Sequence, residues 1–298
     1  MEIPARRFRV AILGTGNIGT DLLYKVRRSK SLKCSYFVGR REDSPGLLQA
    51  RTLGISALYG GIDELAKYLP DIDLVFDATS ALDHEQHSPR LLDGNCNIIN
   101  LTPAKLGIYY VPALDRAPDF FKNLPVNLNM ITCGGQTTIP IIAAVKKEYS
   151  QLDKVEVIST ISSSSAGPAT RRNLDEYIEN TENAIEKLTG ITSVKAILVL
   201  NPAKPEIRMH TSIYFSGSGL KAQKVQEIGD EVARRIQAYC PGYSITSNPT
   251  QVTQETIHMA VTIIGAGDYL PTYAGNLDII NVAAIKAAED LAQLSFSE

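Results

Sequence analysis

Short apolar runs alternate with segments of helical spacing along the first half of the chain. The apolar runs have the length of buried strands and lie at residues 8–13, 32–38, 56–59, 72–77, 96–101 and 126–132. The helical patterns lie at residues 20–28, 61–69, 82–92 and 139–149. Strands that alternate with helices predict an α/β fold, a doubly wound parallel sheet of the Rossmann type.

The second half of the chain has longer strands separated by longer helices. Strands are predicted at residues 154–161, 195–200, 208–215 and 255–264, and helices at residues 174–188 and 220–239. This pattern predicts an α+β domain with a mixed sheet that forms a subunit interface. We therefore predict a dinucleotide-binding domain over residues 1–132 and a catalytic and oligomerisation domain over residues 133–273. A last helix, within residues 274–298, is predicted to return to the first domain.

Composition and charge narrow the class of protein. The 298 residues are 44% hydrophobic and 21% charged, as in globular domains, and the formal net charge of -2 argues against nucleic acid or an anionic membrane as partner. No apolar run approaches the roughly 20 residues of a membrane span. The N-terminus lacks the apolar core of a signal peptide, and the four cysteines contain no CxxC pair. We expect a cytoplasmic protein with no disulfide framework and no metal site.

A glycine-rich turn follows the first strand directly. Its residues are Gly14, Thr15, Gly16, Asn17, Ile18 and Gly19. This is G-x-G-x-x-G between a strand and a helix, where the glycines allow a tight turn and a close approach of the backbone to a pyrophosphate. The helix N-terminus then offers free N–H groups to the phosphates. The motif predicts dinucleotide binding, and the alternative is a glycine turn without a ligand.

The ends of two further strands carry candidate cofactor contacts. Arg40 and Arg41 follow the second strand, where a carboxylate selects NAD and an arginine accommodates the 2′-phosphate of NADP. Arg40 and Arg41 therefore favour NADP, or binding of both cofactors. The alternative is that their side chains contact only solvent. Thr79 and Ser80 follow the strand at 72–77, at the edge where open α/β sheets bind ligands.

Two histidines occupy the helix that follows. His84 and His87 are three residues apart, with no third ligand nearby in the sequence. We interpret them as surface histidines rather than as a metal site.

Cys133 is the candidate nucleophile. It follows an apolar run and precedes Gly134 and Gly135, and we predict that a helix begins within a turn of it, with Thr137 or Thr138 as N-cap. The positive end of that helix favours a thiolate, and the N–H groups of the two glycines are free to bind an oxyanion. The alternative is a small buried cysteine, which is our interpretation of the other three.

An irregular loop follows the strand at 154–161. Its small residues Ser165, Ala166, Gly167 and Pro168 lead to Arg171, Arg172 and Asn173. The arginines and the asparagine either hold phosphate or amide groups or belong to a solvated linker.

Several blocks together resemble the acylating acetaldehyde dehydrogenases, over nearly the whole chain. The blocks are residues 14–22, 75–81, 132–136, 165–168, 201–203 and 269–278. The resemblance implies conversion of acetaldehyde, NAD and coenzyme A to acetyl-CoA and NADH, and often an aldolase partner. Arg40 and Arg41 keep NADP open beside NAD, and we expect a homodimer.

The resemblance assigns roles to particular residues. It implies that Cys133 forms the thioester intermediate. It also implies that Thr15 to Ile18, the loop from Ser165 to Asn173 and Asn276 contact the nucleotide.

Departures from the family pattern indicate a divergent member. Thr211 stands where the family has an aspartate that assists the cysteine, and His210 lies beside it. Thr211 and His210 are the candidates for that role. Strand alternation points His210 to the opposite face from Thr211, which favours a structural histidine. Arg40 and Arg41 replace Ile-Asp, Ala169 replaces a glycine, and the segment between residues 243 and 269 is shorter. The acyl group or its carrier therefore need not be those of acetyl-CoA.

Two other functions stay open on sequence grounds. A phosphate-using semialdehyde dehydrogenase also forms a cysteine thioester but needs a histidine base, here His210 or His258, and an arginine pair, here Arg171 and Arg172. A catalytically inert nucleotide-binding scaffold would explain the missing aspartate.

Overall fold

The computed structural model describes residues 7–114, 124–167, 171 and 174–296. Contacts divide these residues into two compact units. The first contains residues 7–110, 124–130 and 281–296, and the second contains residues 111–114, 131–167, 171 and 174–280. The division falls between Met130 and Ile131, and the last helix begins in the second unit and continues in the first.

The first unit is built on a seven-stranded sheet in which every pair of neighbours is parallel. Its strands are β1 (Phe8–Leu13), β2 (Leu32–Gly39), β3 (Ser56–Tyr59), β4 (Leu74–Asp77), β5 (Asn97–Asn100), β6 (Ile108–Tyr109) and β7 (Asn127–Asn129). Its helices are α1 (Asn17–Arg28), α2 (Pro45–Thr52), α3 (Gly61–Leu65) and α4 (Ala81–Asp93). The strand order β3-β2-β1-β4-β5-β7-β6 confirms the predicted doubly wound sheet.

Burial explains why the central strands were readable from the sequence. All four residues of β4 are buried, as are five of the six in β1, so both strands are continuous apolar runs. The predicted helix over residues 61–69 is shorter than expected, because α3 ends at Leu65 and a 3-10 turn with Pro70 follows. The helix α2 was missed, since its eight residues show little amphipathic periodicity.

The second unit is built on a mixed five-stranded sheet in the order β11-β12-β10-β8-β9. The strands are β8 (Leu152–Ser162), β9 (Ser193–Asn201), β10 (Met209–Gly217), β11 (Tyr243–Gln251) and β12 (Thr256–Ile263). The helices are α5 (Cys133–Glu148), α6 (Leu174–Thr189), α7 (Ala222–Gln237) and α8 (Gly275–Ser295). The β8–β9 pair is parallel and the other pairs are antiparallel, which confirms the predicted mixed sheet.

One strand of this sheet was not predicted. β11 is mostly polar, contains Pro249 and pairs with β12 only irregularly, so it lacks the alternation of a half-buried strand. It lies at the edge of the sheet, where proline is tolerated.

Alternation along β10 separates the two faces of this sheet. Thr211, Ile213 and Phe215 are buried on the face against which α5 packs, and His210 on the other face is exposed. The described part of the chain has no helix that is both long enough and apolar enough to cross a membrane.

Candidate active site

The helix α5 begins at Cys133 itself, four residues before the predicted N-cap. Thr132 is the N-cap, and its Oγ1 accepts a hydrogen bond from the N–H of Gly135 at 3.0 Å. Thr137 and Thr138 lie inside the helix, where their hydroxyls donate to the carbonyls four residues back, at 2.6 and 2.8 Å. The predicted helix start was therefore wrong, because the two glycines are helical rather than part of a loop.

The sulfur of Cys133 is buried and contacts a tyrosine that the sequence did not single out. Cys133 is 5% exposed, and its Sγ lies 3.3 Å from the hydroxyl oxygen of Tyr177 on α6. The N–H of Gly134 donates to the same oxygen at 3.0 Å. The prediction that the N–H groups of Gly134 and Gly135 are free for an oxyanion is therefore wrong, since both already donate to side-chain oxygens.

The pKa of Cys133 reflects burial opposed by these hydrogen bonds. Burial raises the pKa, and hydrogen bonds from Tyr177 and the N–H of Gly134 oppose it, which leaves the pKa at about 11. Burial alone raises the pKa of Cys34 to about 12. Hydrogen bonds thus act in favour of the thiolate at Cys133, whereas burial acts without them on the pKa of Cys34.

The residue two positions before the cysteine has a strained backbone conformation. Ile131 has a φ of 63°, in the left-handed region that a β-branched side chain rarely adopts. Such a conformation costs on the order of 1 to 3 kcal/mol and persists where the surrounding structure enforces it. It turns the chain from the end of β7 into the start of α5, and sequence periodicity carries no signal for it.

Thr211 and His210 occupy opposite faces of β10. Thr211 is fully buried, and its Oγ1 lies 3.1 Å from Oγ of Ser159 on β8. His210 is exposed, and its Nδ1 lies 3.3 Å from Oγ1 of Thr262. The register of β10 with β12 runs from Met209 to Ser216 without a bulge. This arrangement contradicts a role for His210 as the base of Cys133.

Hydrogen bonds from Arg171 and Asn276 hold the loop that follows β8. Arg171 donates from Nε to the carbonyl of Ala166 at 3.1 Å and from Nη2 to the carbonyl of Ser163. Asn276 donates from Nδ2 to the carbonyl of Ser165 at 3.4 Å, while its buried Oδ1 has no hydrogen-bond partner among the described residues. The Cβ position of Gly167 faces open space. Pro168 and Asn173, two further predicted contacts, lie outside the described residues.

The glycine-rich turn of the first unit is closely packed at Gly14 and Gly19 and open at Gly16. Gly14 has a φ of 116°, and a Cβ there would lie 2.5 Å from the carbonyl oxygen of Ala78. A Cβ at Gly19 would lie 1.9 Å from the carbonyl oxygen of Gly14, whereas the Cβ position of Gly16 has no atom within 4 Å. The N-terminus of α1 has no side-chain cap, so its N–H groups remain open beside Gly16.

Other residues of this turn contact the start of α2 or begin α1. Thr15 shares a hydrogen bond of 2.7 Å with Ser44, which ties the turn to the start of α2. Asn17 is exposed at the first position of α1, and Ile18 follows it, half-buried.

The two candidate arginines extend from the end of β2. The side chains of Arg40 and Arg41 are 83% and 77% exposed. Arg40 lies 3.8 Å from Asp83 and Arg41 lies 3.6 Å from Asp43. Such exposed pairs contribute little to stability, so both guanidinium groups are available to a ligand.

Thr79 and Ser80 directly precede α4, and each is hydrogen bonded to a carboxylate. Asp77 accepts from the N–H of Thr79 at 3.1 Å and from its hydroxyl at 2.5 Å. Ser80 is the N-cap of α4, and it also donates to Oδ2 of Asp83 at 2.8 Å. The strand end is thus a rigid turn rather than a flexible loop.

His84 and His87 are buried, so their interpretation as surface residues was wrong. Their Nδ1 atoms lie 2.9 and 3.0 Å from the same oxygen, Oδ2 of Asp77. Nε2 of His84 lies 3.1 Å from Nδ2 of Asn127. Burial raises the pKa of Asp77, but hydrogen bonds from His84, His87 and Thr79 outweigh it and lower the pKa to about 2. Among the described residues, no group has the arrangement of a metal site.

Sequence reasoning missed three site residues: Tyr177, Ser159 and Asp77. Tyr177 lies on α6, and only its contact with Cys133 identifies it. Asp77 carried a usable signal, since it ends a fully buried strand and precedes two histidines on one helix.

Comparisons with known proteins agree with one another. The family model described as "Prokaryotic acetaldehyde dehydrogenase, dimerisation" matches residues 133–271. The chain is 47% identical to an acetaldehyde dehydrogenase of Spirochaeta aurantia over 99% of this chain and 98% of that protein. It is 43% identical to an acetaldehyde dehydrogenase of Pectobacterium atrosepticum over 98% of both chains.

A solved structure shows the same fold at low identity. An aspartate semialdehyde dehydrogenase II of Vibrio cholerae superposes with a TM-score of 0.67 at 12% identity, over 99% of both chains. At this identity the likeness concerns the fold alone.

Proposed function

This chain belongs to the acetaldehyde dehydrogenase family, and on that premise we propose that it interconverts a short aldehyde and its acyl-CoA thioester. NAD or NADP is the redox partner, and a thioester on Cys133 is the intermediate. The observation that carries the proposal is the placement of Cys133 at the first position of α5, with its sulfur against the hydroxyl of Tyr177. A helix N-terminus and a hydrogen-bond donor both favour the thiolate that this chemistry needs.

The chemistry at Cys133 has three steps. The thiolate attacks the carbonyl carbon of the aldehyde, which forms a carbon–sulfur bond and an oxyanion. Loss of a hydride from that carbon leaves the acyl group on Cys133 as a thioester. Coenzyme A then loses its thiol proton to water, its sulfur forms a bond to the acyl carbon, and the electron pair of the broken bond returns to the sulfur of Cys133. The nicotinamide ring, when bound, supplies the hydride acceptor.

The residues of the first unit fit a dinucleotide. The open space at Gly16 and the uncapped N-terminus of α1 can receive a pyrophosphate, and a Cβ at Gly16 would occupy that space. Taken by itself, the second unit offers the buried Oδ1 of Asn276, which has no hydrogen-bond partner among the described residues and can accept from an amide or hydroxyl group. The exposed Arg40 and Arg41 favour NADP, because a 2′-phosphate would meet cations there.

The phosphate-using alternative receives less support. It needs a histidine beside Cys133, but His210 is exposed on the far face of β10. His258 lies on the same far face, opposite Tyr214, and stacks on that ring at 4.7 Å. Arg171 is engaged by carbonyls of its own loop. The likeness to semialdehyde dehydrogenases therefore supports a shared fold, and it does not support phosphate as the acceptor of the acyl group.

We also propose a homodimer formed through the exposed face of the mixed sheet. This face belongs to the segment that matches the family's dimerisation model, and it carries Val199, which is 40% exposed, together with Tyr214. Val199→Asp should yield monomers in sedimentation, and Val252→Asp, at an exposed turn, should not. A dimer that persists in the Val199→Asp variant would refute the proposal that this face forms the interface. An aldolase that produces the aldehyde is the partner class that the family resemblance implies.

A cofactor assay tests the proposed reaction. Protein is mixed with acetyl-CoA and either NADH or NADPH, the absorbance of the reduced cofactor is followed, and Cys133→Ala is the control. We expect cofactor oxidation that the control lacks. Oxidation that persists in Cys133→Ala would refute the thioester mechanism. Activity with an acyl phosphate alone would favour the semialdehyde class, and tight cofactor binding without turnover would favour an inert scaffold.

A further inference from the structure

A line of hydroxyl groups connects the sulfur of Cys133 to the middle of the mixed sheet. The sulfur lies 3.3 Å from the hydroxyl of Tyr177. The hydroxyls of Tyr177 and Ser159 both face Gly134, where a Cβ would lie 2.5 Å from the first and 3.2 Å from the second. Ser159 in turn lies 3.1 Å from Oγ1 of Thr211. Ser159 and Thr211 are at most 1% exposed. The line thus joins α5, α6, β8 and β10 within one unit.

We propose that Tyr177 is a catalytic residue that donates a hydrogen bond to the sulfur of Cys133 whenever that sulfur is negatively charged. This inference rests on the proposed function, because it concerns the same thiolate. Ser159 and Thr211 are positioning residues, since they act through Tyr177 rather than on the sulfur.

The direction of each hydrogen bond follows from the groups available. The N–H of Gly134 can only donate, so the oxygen of Tyr177 accepts from it. Between Ser159 and Thr211, either hydroxyl can be the donor. A thiolate can only accept, so the proton of the Tyr177 hydroxyl points at the sulfur of Cys133 when that sulfur is charged. Successive donors polarise one another, so the last one is strengthened.

Tyr177 acts as a donor and not as a base. Burial, followed by the proximity of Cys133, raises its pKa well above the usual value, so the phenol keeps its proton. The proton of the Cys133 thiol leaves to water before the attack. When the carbon–sulfur bond forms, the charge moves from the sulfur to the carbonyl oxygen. When coenzyme A displaces the acyl group, the electron pair returns to the sulfur, where Tyr177 stabilises it again.

Gly134 makes room for this contact. A Cβ at this position would lie 2.5 Å from the hydroxyl oxygen of Tyr177 and 3.2 Å from Oγ of Ser159. Glycine is otherwise unfavourable within a helix. Its presence one residue after the nucleophile is explained by the close approach of the two hydroxyls.

The line of hydroxyls ends at the position where the family resemblance predicts a carboxylate. Thr211 holds that position, and its hydroxyl contacts Ser159, whereas the sulfur contacts Tyr177. Neutral hydroxyl groups thus stand where the family pattern has a carboxylate. Burial, Tyr177 and the backbone N–H groups of Gly134 and Cys133 are the influences on the pKa of Cys133. Tyr177 is thus the side chain whose removal should change it.

The test is the alkylation rate of Cys133 by iodoacetamide, followed by mass spectrometry of the peptide that contains it. Below the pKa of the thiol this rate is proportional to the thiolate fraction. We expect Tyr177→Phe to lower the rate at pH 9 by about tenfold, which corresponds to a pKa higher by about one unit. Thr211→Val should lower it by a smaller factor. Cys34, Cys96 and Cys240 are monitored in the same digest and should be unaffected.

Tyr243→Phe is the matched control. Its hydroxyl is also buried and donates to the same helix α5, at the carbonyl of Thr137, 3.0 Å away. We expect this variant to alkylate at the wild-type rate. An unchanged rate in Tyr177→Phe would overturn the inference, and so would an equal loss in both tyrosine variants, which would indicate a structural effect. If Tyr177→Phe does not fold, Thr211→Val carries the same test, with an unchanged rate as the contrary result.

The alkylation assay separates this inference from the proposed function, because it needs no substrate. If Tyr177→Phe alkylates more slowly but the wild type shows no turnover, the proposed function is refuted and the role of Tyr177 as hydrogen-bond donor is retained. Turnover with wild-type alkylation in Tyr177→Phe would retain the function and refute the donor. If both hold, kcat/KM of Tyr177→Phe should fall by about the same factor as the alkylation rate.

Discussion

Asp77 and Cys133 each lie at the centre of a buried polar cluster. The first cluster lowers the pKa of its central residue, and the second raises it. Asp77 ends β4 in the first unit, and hydrogen bonds from His84, His87 and Thr79 outweigh burial and lower its pKa to about 2. Cys133 begins α5 in the second unit, and burial outweighs its hydrogen bonds, so that its pKa is about 11. A permanently charged carboxylate can organise a turn, whereas a reversibly charged thiol can accept and release an acyl group.

The clusters also differ in the kind of partner. Asp77 meets two imidazoles, which can carry positive charge, whereas Cys133 meets a phenol that keeps its proton. We interpret the first cluster as structural support for Thr79 and Ser80 and the second as the reacting centre.

The largest expected effect is the loss of the Asp77 carboxylate. Asp77→Ala leaves two buried histidines and the N–H of Thr79 without their acceptor, so the free energy of unfolding should fall by about 3 to 5 kcal/mol. Urea denaturation measures it. Asp71→Asn is the control, because its exposed pair with Arg9 should contribute less than about 1 kcal/mol. Equal losses of unfolding free energy in the two variants would contradict the claim that Asp77 stabilises the fold more than an exposed carboxylate does.

The second effect is the pH dependence that Asp77 confers. Its pKa is lower in the folded chain than in the unfolded chain, so its contribution is present above about pH 4 and is lost as the pH falls towards 2. The difference in unfolding free energy between the wild type and Asp77→Asn should shrink over this window, by on the order of 2 kcal/mol. A difference that stays constant from pH 5 to pH 2 would show that the carboxylate is not held in its charged form.

The third prediction compares two glycines, one in each unit. Gly134→Ala pushes against the hydroxyl of Tyr177, so alkylation of Cys133 should slow by about tenfold while cofactor affinity is retained. Gly16→Ala should do the reverse, raising the Kd of the dinucleotide by about tenfold without changing alkylation. Alkylation rates and a fluorescence titration of reduced cofactor measure the two effects. Identical behaviour of the two variants would contradict the separation of roles.

The smallest effect concerns the choice of cofactor. Arg41→Asp should shift the ratio of kcat/KM for NADPH over NADH towards NADH by about threefold or more, since an exposed cation on a 2′-phosphate is worth up to about 1 kcal/mol. Arg27→Asp, at an exposed position late in α1, is the control and should leave the ratio unchanged. An unchanged ratio in Arg41→Asp would refute the NADP preference.

The sequence predicted the fold where burial is uniform. The apolar runs of β1 and β4 and the glycine turn between β1 and α1 are local signals, and the structure bears them out. The mixed sheet was also predicted, except for β11, whose polar edge lacks any periodicity.

The candidate site was less predictable, because it depends on contacts distant in sequence. Cys133 could be identified from its setting, but Tyr177 is 44 residues away and is recognised only by its distance to the sulfur. The start of α5 was misjudged since glycines normally disfavour a helix, and here their absent side chains serve packing. His84 and His87 were misjudged because their partner Asp77 lies on the preceding strand.

The central claim is that Cys133 carries the acyl group, and trapping that intermediate tests it most directly. Wild-type protein is incubated with acetyl-CoA in the absence of reduced cofactor, quenched in acid and digested for mass spectrometry. We predict one acetyl group per chain on the peptide that contains Cys133, and none in Cys133→Ala. An acetyl group on another residue, or none on a wild-type enzyme that turns over the same acetyl-CoA, would contradict the account.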